Sequence, residues 1–309
     1  MASIIVHYDR RRTDLVQVNG QLRSLDWDRQ DVQLTVVGGH GFVGRFHDGS
    51  LARVESGVTQ NLRAISINPK DGTMLIVGNR GTVLLLEDLD RVAQIYSPTS
   101  ENLRAVAWNT SGDVALVAGN NGVLMRYENH RLDFIGGAMA NLRDVSWRPN
   151  HDEALVTSNC FAEEFIPSPN LFTYDANANL LKRLNESRAD LIAVDWNSKG
   201  DGAMVVGYDV VWHTGVIASY KDQELTNVDF HNKRVYPTSV HWNPAGNVAA
   251  IGTATSEPGV GTGKLLLWDG NVVKEVYNNP RFFFSELKWS PDGSRFGAVA
   301  SSGTRAFNA

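Results

Sequence analysis

Apolar positions along this chain come in short runs separated by turns rich in Gly, Asn, Asp and Ser, and the runs have strand character. The segment 106–137 shows the unit most cleanly. Val106-Ala107-Trp108 predicts a short strand, a, and Asn109-Thr110-Ser111-Gly112-Asp113 a turn of residues that tolerate turn dihedrals. Val114-Ala115-Leu116-Val117-Ala118 predicts an apolar strand, b, and Asn120-Asn121-Gly122 a tight hairpin. Val123-Leu124-Met125-Arg126-Tyr127 and Leu132-Asp133-Phe134-Ile135 predict strands c and d, ending at Gly136-Gly137. Strand b is apolar at consecutive positions, so both of its faces require burial. One four-stranded sheet cannot bury both faces alone, so the unit has to be sandwiched between copies of itself.

The copies are present. Leu-Arg-x-Val-x-Trp, or a variant, recurs as Leu22–Trp27, Leu62–Ile67, Leu103–Trp108 and Leu142–Trp147, with weaker forms ending at Trp196, Trp242 and Trp289. The anchor positions 27, 67, 108, 147, 196, 242 and 289 are spaced by 40, 41, 39, 49, 46 and 47 residues. A repeat of this length built from strands denotes a radial array. The expected fold is therefore all-β, a single seven-bladed β-propeller over residues 1–309 with four antiparallel strands per blade. Too few residues follow Trp289 to complete a seventh sheet. The N-terminal strands, within 4–18, are expected to complete the blade begun at about 284–309, which closes the ring and hides both sheet edges. Ile4-Ile5-Val6-His7-Tyr8 and the tail from Gly303 compete for the strand c position, and the more apolar N-terminal segment is preferred. The anchor tryptophans are read as wedges filling the space between adjacent blades.

The turns Asn68-Pro69-Lys70-Asp71-Gly72, Asn243-Pro244-Ala245-Gly246 and Ser290-Pro291-Asp292-Gly293, with Trp268-Asp269 at the end of a strand c, resemble those of WD-repeat propellers. Val77-Gly78-Asn79-Arg80-Gly81-Thr82-Val83 is also similar to the propellers of photosystem assembly factors. The Gly-His pair that usually precedes strand a in WD repeats is missing from every repeat. The resemblance spans nearly the whole chain. It implies scaffolding or peptide binding, a role common in WD-repeat proteins, although propellers host many functions.

Charge and composition narrow the partners. A net charge of −5 disfavours nucleic acid, whose binders usually carry a basic stripe. No apolar run approaches the roughly 20 residues of a membrane-spanning helix, and no secretory leader is apparent at Met1–Tyr8. The single cysteine, Cys160, suits a reducing compartment, and the expectation is a soluble cytoplasmic protein without a cofactor.

Two departures from the repeat mark a candidate partner surface. In WD-like propellers the d–a and b–c connections share the top face. The later blades are longer, with the extra residues expected in b–c loops at 158–170, 208–215 and 253–263. These bring Phe161, Phe165 and Trp212 to that face, and a d–a connection brings Phe282 and Phe283. Aromatic residues on loops are common interface anchors. Arg23, Arg63, Arg104 and Arg143 occupy one position in four consecutive blades, where the other three have Ile192, Thr238 and Ser285. Placed at the upper mouth of the central channel, they form a basic crescent suited to carboxylates or phosphates. Two readings compete with this: each arginine bonds backbone carbonyls or an acidic group of the next blade, or internal duplication copied the residue without selection for binding.

The primary expectation is thus a protein–protein interaction module that takes a protein or peptide, acidic in character, on its top face. An enzyme is the weaker reading, since no nucleophile elbow, zinc-type histidine pair or phosphate loop occurs. The alternative is a metal-dependent hydrolase of the lactonase type. It would draw on the residues preceding the anchors, with Asp26, Asp195 and His241 converging on a channel metal, most naturally calcium.

Overall fold

A computed structural model describes residues 2–8, 13–30, 33–87, 91–159, 167–230, 235–255 and 263–302. The strands follow the repeat. β1 (Ala2–Tyr8) and β2 (Thr13–Asn19) come first. The next blade is β3 (Leu22–Trp27), β4 (Leu34–Gly38), β5 (Val43–His47) and β6 (Ser50–Val54). Then come β7 (Leu62–Ile67), β8 (Met74–Gly78), β9 (Val83–Leu86) and β10 (Val92–Gln94). They are followed by β11 (Leu103–Trp108), β12 (Ala115–Gly119), β13 (Leu124–Glu128) and β14 (Arg131–Gly136). The fourth sheet of this series is β15 (Leu142–Trp147), β16 (Glu153–Ser158), β17 (Ser168–Asp175) and β18 (Leu180–Ser187). The fifth is β19 (Ala189–Trp196), β20 (Ala203–Asp209), β21 (Thr214–Lys221) and β22 (Glu224–Asn227). The sixth is β23 (Val235–Trp242), β24 (Ala249–Thr255), β25 (Gly263–Trp268) and β26 (Val273–Asn279). β27 (Phe282–Trp289) and β28 (Phe296–Ser302) end the series.

Each set of four forms one antiparallel sheet, and the last sheet has the order β2-β1-β28-β27. The N-terminal strands therefore close the ring: Ser3 pairs with Ser301 and Tyr8 with Phe296. The Ser3 and Ser301 hydroxyls hydrogen-bond at 2.8 Å, and Ser3 Oγ also accepts the Leu22 N–H. The rival strand from Gly303 onward lies outside the described residues.

Burial explains why the sheets stack. β4, β8 and β12 are buried at every position. Their two faces belong to different clusters, each shared by two adjacent blades. Leu75, Val77 and Leu85 pack with Val106, Val117 and Met125, and Ile5 and Val299 pack with Leu22, Trp27 and Leu34. Such clusters occupy all seven inter-blade interfaces. Anchor tryptophans sit in them edge-on to another aromatic, from strand c in Trp147–Tyr174 at 6.1 Å and Trp242–Trp268 at 5.5 Å and from strand b in Trp289–Phe296 at 5.1 Å.

The tryptophans differ in one respect. Trp147 Nε1 donates to the Ala107 carbonyl at 3.0 Å, whereas the buried Trp242 Nε1 meets no acceptor. Replacing each by Phe removes similar apolar area, so Trp147→Phe should cost about 1 kcal/mol more than Trp242→Phe. Urea denaturation of the two variants checks this; equal losses would contradict it.

The inner strand of every blade carries a bulge at one position. Pairing skips residue 23 in β3, 63 in β7, 104 in β11, 143 in β15, 192 in β19, 238 in β23 and 285 in β27. Those are the arginine position of the motif and its counterparts. A bulge leaves its extra residue outside the ladder and re-aims its side chain, so successive residues such as Arg143 and Asp144 both line the channel.

Candidate functional site

The channel encloses about 870 Å³ and is lined in tiers set by the inner-strand register. The bulge residues form the tier at the mouth. Arg23, Arg63, Arg104 and Arg143 line it, all half-buried. Three of them share one support. The Nε of Arg63 donates to Oδ1 of Asn79, that of Arg104 to Oδ1 of Asn120 at 2.8 Å, and that of Arg143 to Oδ1 of Asn159. Each asparagine stands sixteen residues after its arginine, where strand b ends. The equivalent position in the first blade is Gly39, and there Arg23 turns instead to the Gln21 side chain at 2.6 Å. These bonds run to amide side chains within the arginines' own blades. An Nε bond fixes the plane of a guanidinium and uses one of its five donors. Burial pushes Arg23 and Arg143 below the ordinary arginine value, with Asp190 opposing the shift at Arg143.

The strand-b ends are themselves held in a repeated turn. Gly39–Gly41, Asn79–Gly81 and Asn120–Gly122 are single 3-10 turns whose central residue has φ of 55°, 56° and 52°. The asparagine preceding the next blade's Leu-Arg reaches back to that centre: Asn61, Asn102 and Asn141 accept the N–H of His40, Arg80 and Asn121.

Below the mouth, Asp144 and Glu286 line the channel, followed by the residues before the anchors: Asp26, Ser66, Ala107, Ser146, Asp195, His241 and Lys288. This lower tier stitches blade to blade. Asp26 accepts the Ile67 N–H at 2.9 Å, Ser66 that of Trp108 at 3.4 Å, and Ser146 that of Trp196 at 3.1 Å. Asp195 accepts the Trp242 N–H at 2.8 Å and His241 Nδ1 that of Trp289 at 3.2 Å. Ala107 and Lys288 carry no side-chain acceptor for this bond. At both places the next blade's indole donates instead, Trp147 to Ala107 O and Trp27 to Lys288 O, each at 3.0 Å.

Asp26, Asp195 and His241, the sequence-derived metal candidates, are therefore committed to backbone. Asp26 also pairs with Lys288 at 2.9 Å, and His241 Nε2 stands 4.0 Å from Asp195. Among the described residues no group of three His, Cys, Asp or Glu side chains is arranged to hold a metal ion.

Burial dominates the acid–base character of the channel. It lifts Glu286 to about 8, helped by the charge of Asp144, lifts Asp195 to about 7 and Asp144 to about 6, and lowers His241 to about 3. A carboxyl raised in the folded state holds its proton more tightly there. It therefore favours folding at low pH, and that contribution is lost as pH rises through the folded value. Wild type should lose stability relative to Glu286→Gln between pH 5 and 8. His241 acts with the opposite sign, losing its contribution as pH falls below about 6.5, and it is common to both proteins. Thermal melts across this range give the comparison, and a pH-independent difference would contradict it.

The loop candidates divide. Phe161 and Phe165 lie outside the described residues. Trp212 is 73% exposed at the β20–β21 turn, where Asp209 Oδ1 accepts the N–H groups of Val211 and Trp212. The extra length of that blade goes into longer strands rather than into a loop. Phe282 and Phe283 require a correction, because they lie in β27 rather than on a connection. There Phe282 pairs with Ser302 and Phe283 with Ser301, and Phe283 is buried. The inner strand starts early because β28 runs on to pair with it. Sequence reasoning missed Tyr96 and Met139, the most exposed large apolar residues described, at 83% and 87%. Both sit on d–a connections. It also missed the Asn79, Asn120 and Asn159 supports, though their constant spacing from the arginines was a readable signal.

No family model matches the chain, and no curated protein matches it in sequence. Its fold has many solved counterparts. Kuenenia stuttgartiensis hydrazine synthase aligns over 93% of this chain and 97% of its own, with a TM-score of 0.73 at 13% identity. The Cps50 (Swd1) β-propeller domain of Myceliophteria thermophila aligns over 93% and 98%, with 0.67 at 12%. A putative TolB from Agrobacterium tumefaciens aligns over 96% and 97%, with 0.62 at 12%. At such identities the likeness is one of fold: a seven-bladed propeller, an architecture common among protein-interaction scaffolds.

Proposed function

We propose that this propeller is a protein-interaction module whose arginine-lined mouth receives an acidic segment of a partner protein. The observation that carries the reading is the repeated arginine–asparagine pair. Three consecutive blades hold a guanidinium in one orientation on a bulge at the mouth of the same channel. A planar fork fixed in advance loses less freedom when it engages a carboxylate, which favours recognition. The crescent is also a concentration of positive charge on a chain of net charge −5, so it would steer acidic segments toward the mouth. Trp212, Met139 and Tyr96, on b–c and d–a connections, supply apolar anchors around it.

The test replaces Arg63, Arg104 and Arg143 together by Gln, whose amide retains a donor for the supporting asparagine. Peptides graded in Asp and Glu content are titrated at low and at moderate salt. Wild type should bind the acidic peptides, more weakly as salt rises. The variant, shown to be folded by its melt, should lose at least tenfold in affinity. Equal affinities for the two proteins would overturn the reading.

A further inference from the structure

The channel carries two charge tiers that do not neutralise each other. The arginines stand at the mouth. Below them Asp144, Glu286, Asp195 and Asp26 face the same cavity, and the one ammonium among them, Lys288, is paired with Asp26 at 2.9 Å. Among the described residues no ion pair joins an arginine of the mouth to any of these carboxylates. Arg143 directly precedes Asp144, yet its Nε goes to Asn159.

The remaining carboxylates differ in how far they are satisfied. Both oxygens of Asp144 accept backbone N–H groups, from Val145 and Val194. Both oxygens of Asp195 are used, by Ser146 and by the Trp242 N–H. Glu286 uses only Oε1, which accepts the Leu287 N–H at 3.1 Å, and no described donor meets its Oε2. Glu286 is on β27 and Asp144 on β15, three blades apart in the ring, so they approach the channel from opposite sides. Along the strands Glu286 stands only one residue, about 3.3 Å, from the bulge tier, but β27 lies two blades from β7 and three from β11 and β15, so Glu286 faces Arg63, Arg104 and Arg143 across the channel. A cavity of about 870 Å³ with opposite charges on facing sides is matched by a molecule charged at both ends.

We propose that the channel binds a bipolar ligand, its carboxylate or phosphate held by Arg63, Arg104 and Arg143 and its ammonium held by Glu286. The chemistry is that of an ω-amino acid, or of a peptide segment with an acidic residue followed closely by a lysine. The inference rests on the mouth being a ligand site, and it adds what lies beyond the anion.

Calorimetry at low ionic strength tests it with probes of equal length: 6-aminohexanoate, hexanoate and hexylammonium. A second arm uses a short peptide with Asp and Lys two residues apart, beside its counterpart with norleucine for Lys. In at least one arm the bipolar probe should bind wild type at least tenfold more tightly than its singly charged analogue. Glu286→Gln should abolish that gain while leaving the analogue's affinity within twofold, and the triple Arg→Gln variant should weaken both probes. A gain confined to 6-aminohexanoate identifies a free small molecule, and one confined to the peptide identifies a partner segment. If anionic probes bind through the arginines but the ammonium brings no gain, or Glu286→Gln keeps the gain, the bipolar inference falls and the acidic-segment reading stands. If anionic probes are indifferent to the arginines, both fall.

Discussion

Gly122→Ala is expected to destabilise the protein by about 3 kcal/mol, against a fraction of that for Gly49→Ala. Gly122 has φ of 71°, which costs an L-residue about 1–2 kcal/mol. A Cβ there would also overlap the Ala138 carbonyl oxygen of the connection to the next blade. Relieving a backbone overlap moves the turn or its neighbour, at a typical 1–3 kcal/mol. Gly41 and Gly81 repeat the arrangement against Val58 O and Thr99 O, so Gly81→Ala should behave alike. Gly49 also has positive φ, 76°, but open space beyond it, and so isolates the dihedral cost. Equilibrium unfolding of the three variants makes the comparison. If Gly122→Ala and Gly49→Ala lose the same stability, the close approach contributes nothing.

Lys288→Met is expected to cost about 3–5 kcal/mol near neutral pH, the usual consequence of removing one member of a buried ion pair. It deprives the buried Asp26 of its cation and removes the ammonium that faces Asp195 and Glu286. Without that charge the folded-state pKa values of Asp195 and Glu286 rise further above their unfolded values. Stability from such groups is present at low pH and lost as pH rises through the folded value. The deficit should therefore be smaller at pH 5 than at pH 8. Asp26→Asn combined with Lys288→Met should cost less than the two single changes added, because neither charge is then stranded. Urea denaturation at both pH values decides; a deficit independent of pH, or strict additivity, would contradict the account.

The ring was legible in the chain because strand b of each repeat is apolar on successive residues, which only sandwiched sheets satisfy, and because the anchors recur at nearly even spacing. The closure by Ile4–Tyr8 followed from a shortage of strands after Trp289. The arginine crescent was legible as a recurrence, but its support was not, since Asn79, Asn120 and Asn159 also read as ordinary turn residues. Asp144 and Glu286 were missed for a physical reason. Simple alternation allots the residue beside an arginine to the opposite face, and only the bulge at 143 or 285 brings both positions to the channel. The Phe282–Phe284 run was misplaced because the extra register at the start of β27 is set by β28, a partner that local pattern does not reveal.

Closure through β1 and β28 has a consequence for how the chain is made. β1 and β2 are made before the blades from β3 to β26 and meet β28 only after them, so they wait as an unsheltered hairpin while those blades are synthesised. Blades from β3 to β26 can form in turn as the chain emerges, but the last sheet joins distant segments and is expected to be the slow step. A permuted chain that begins at β27 and joins Ser302 to Ala2 by a short linker would make that sheet local. Its folding should then be faster, with the native ring unchanged.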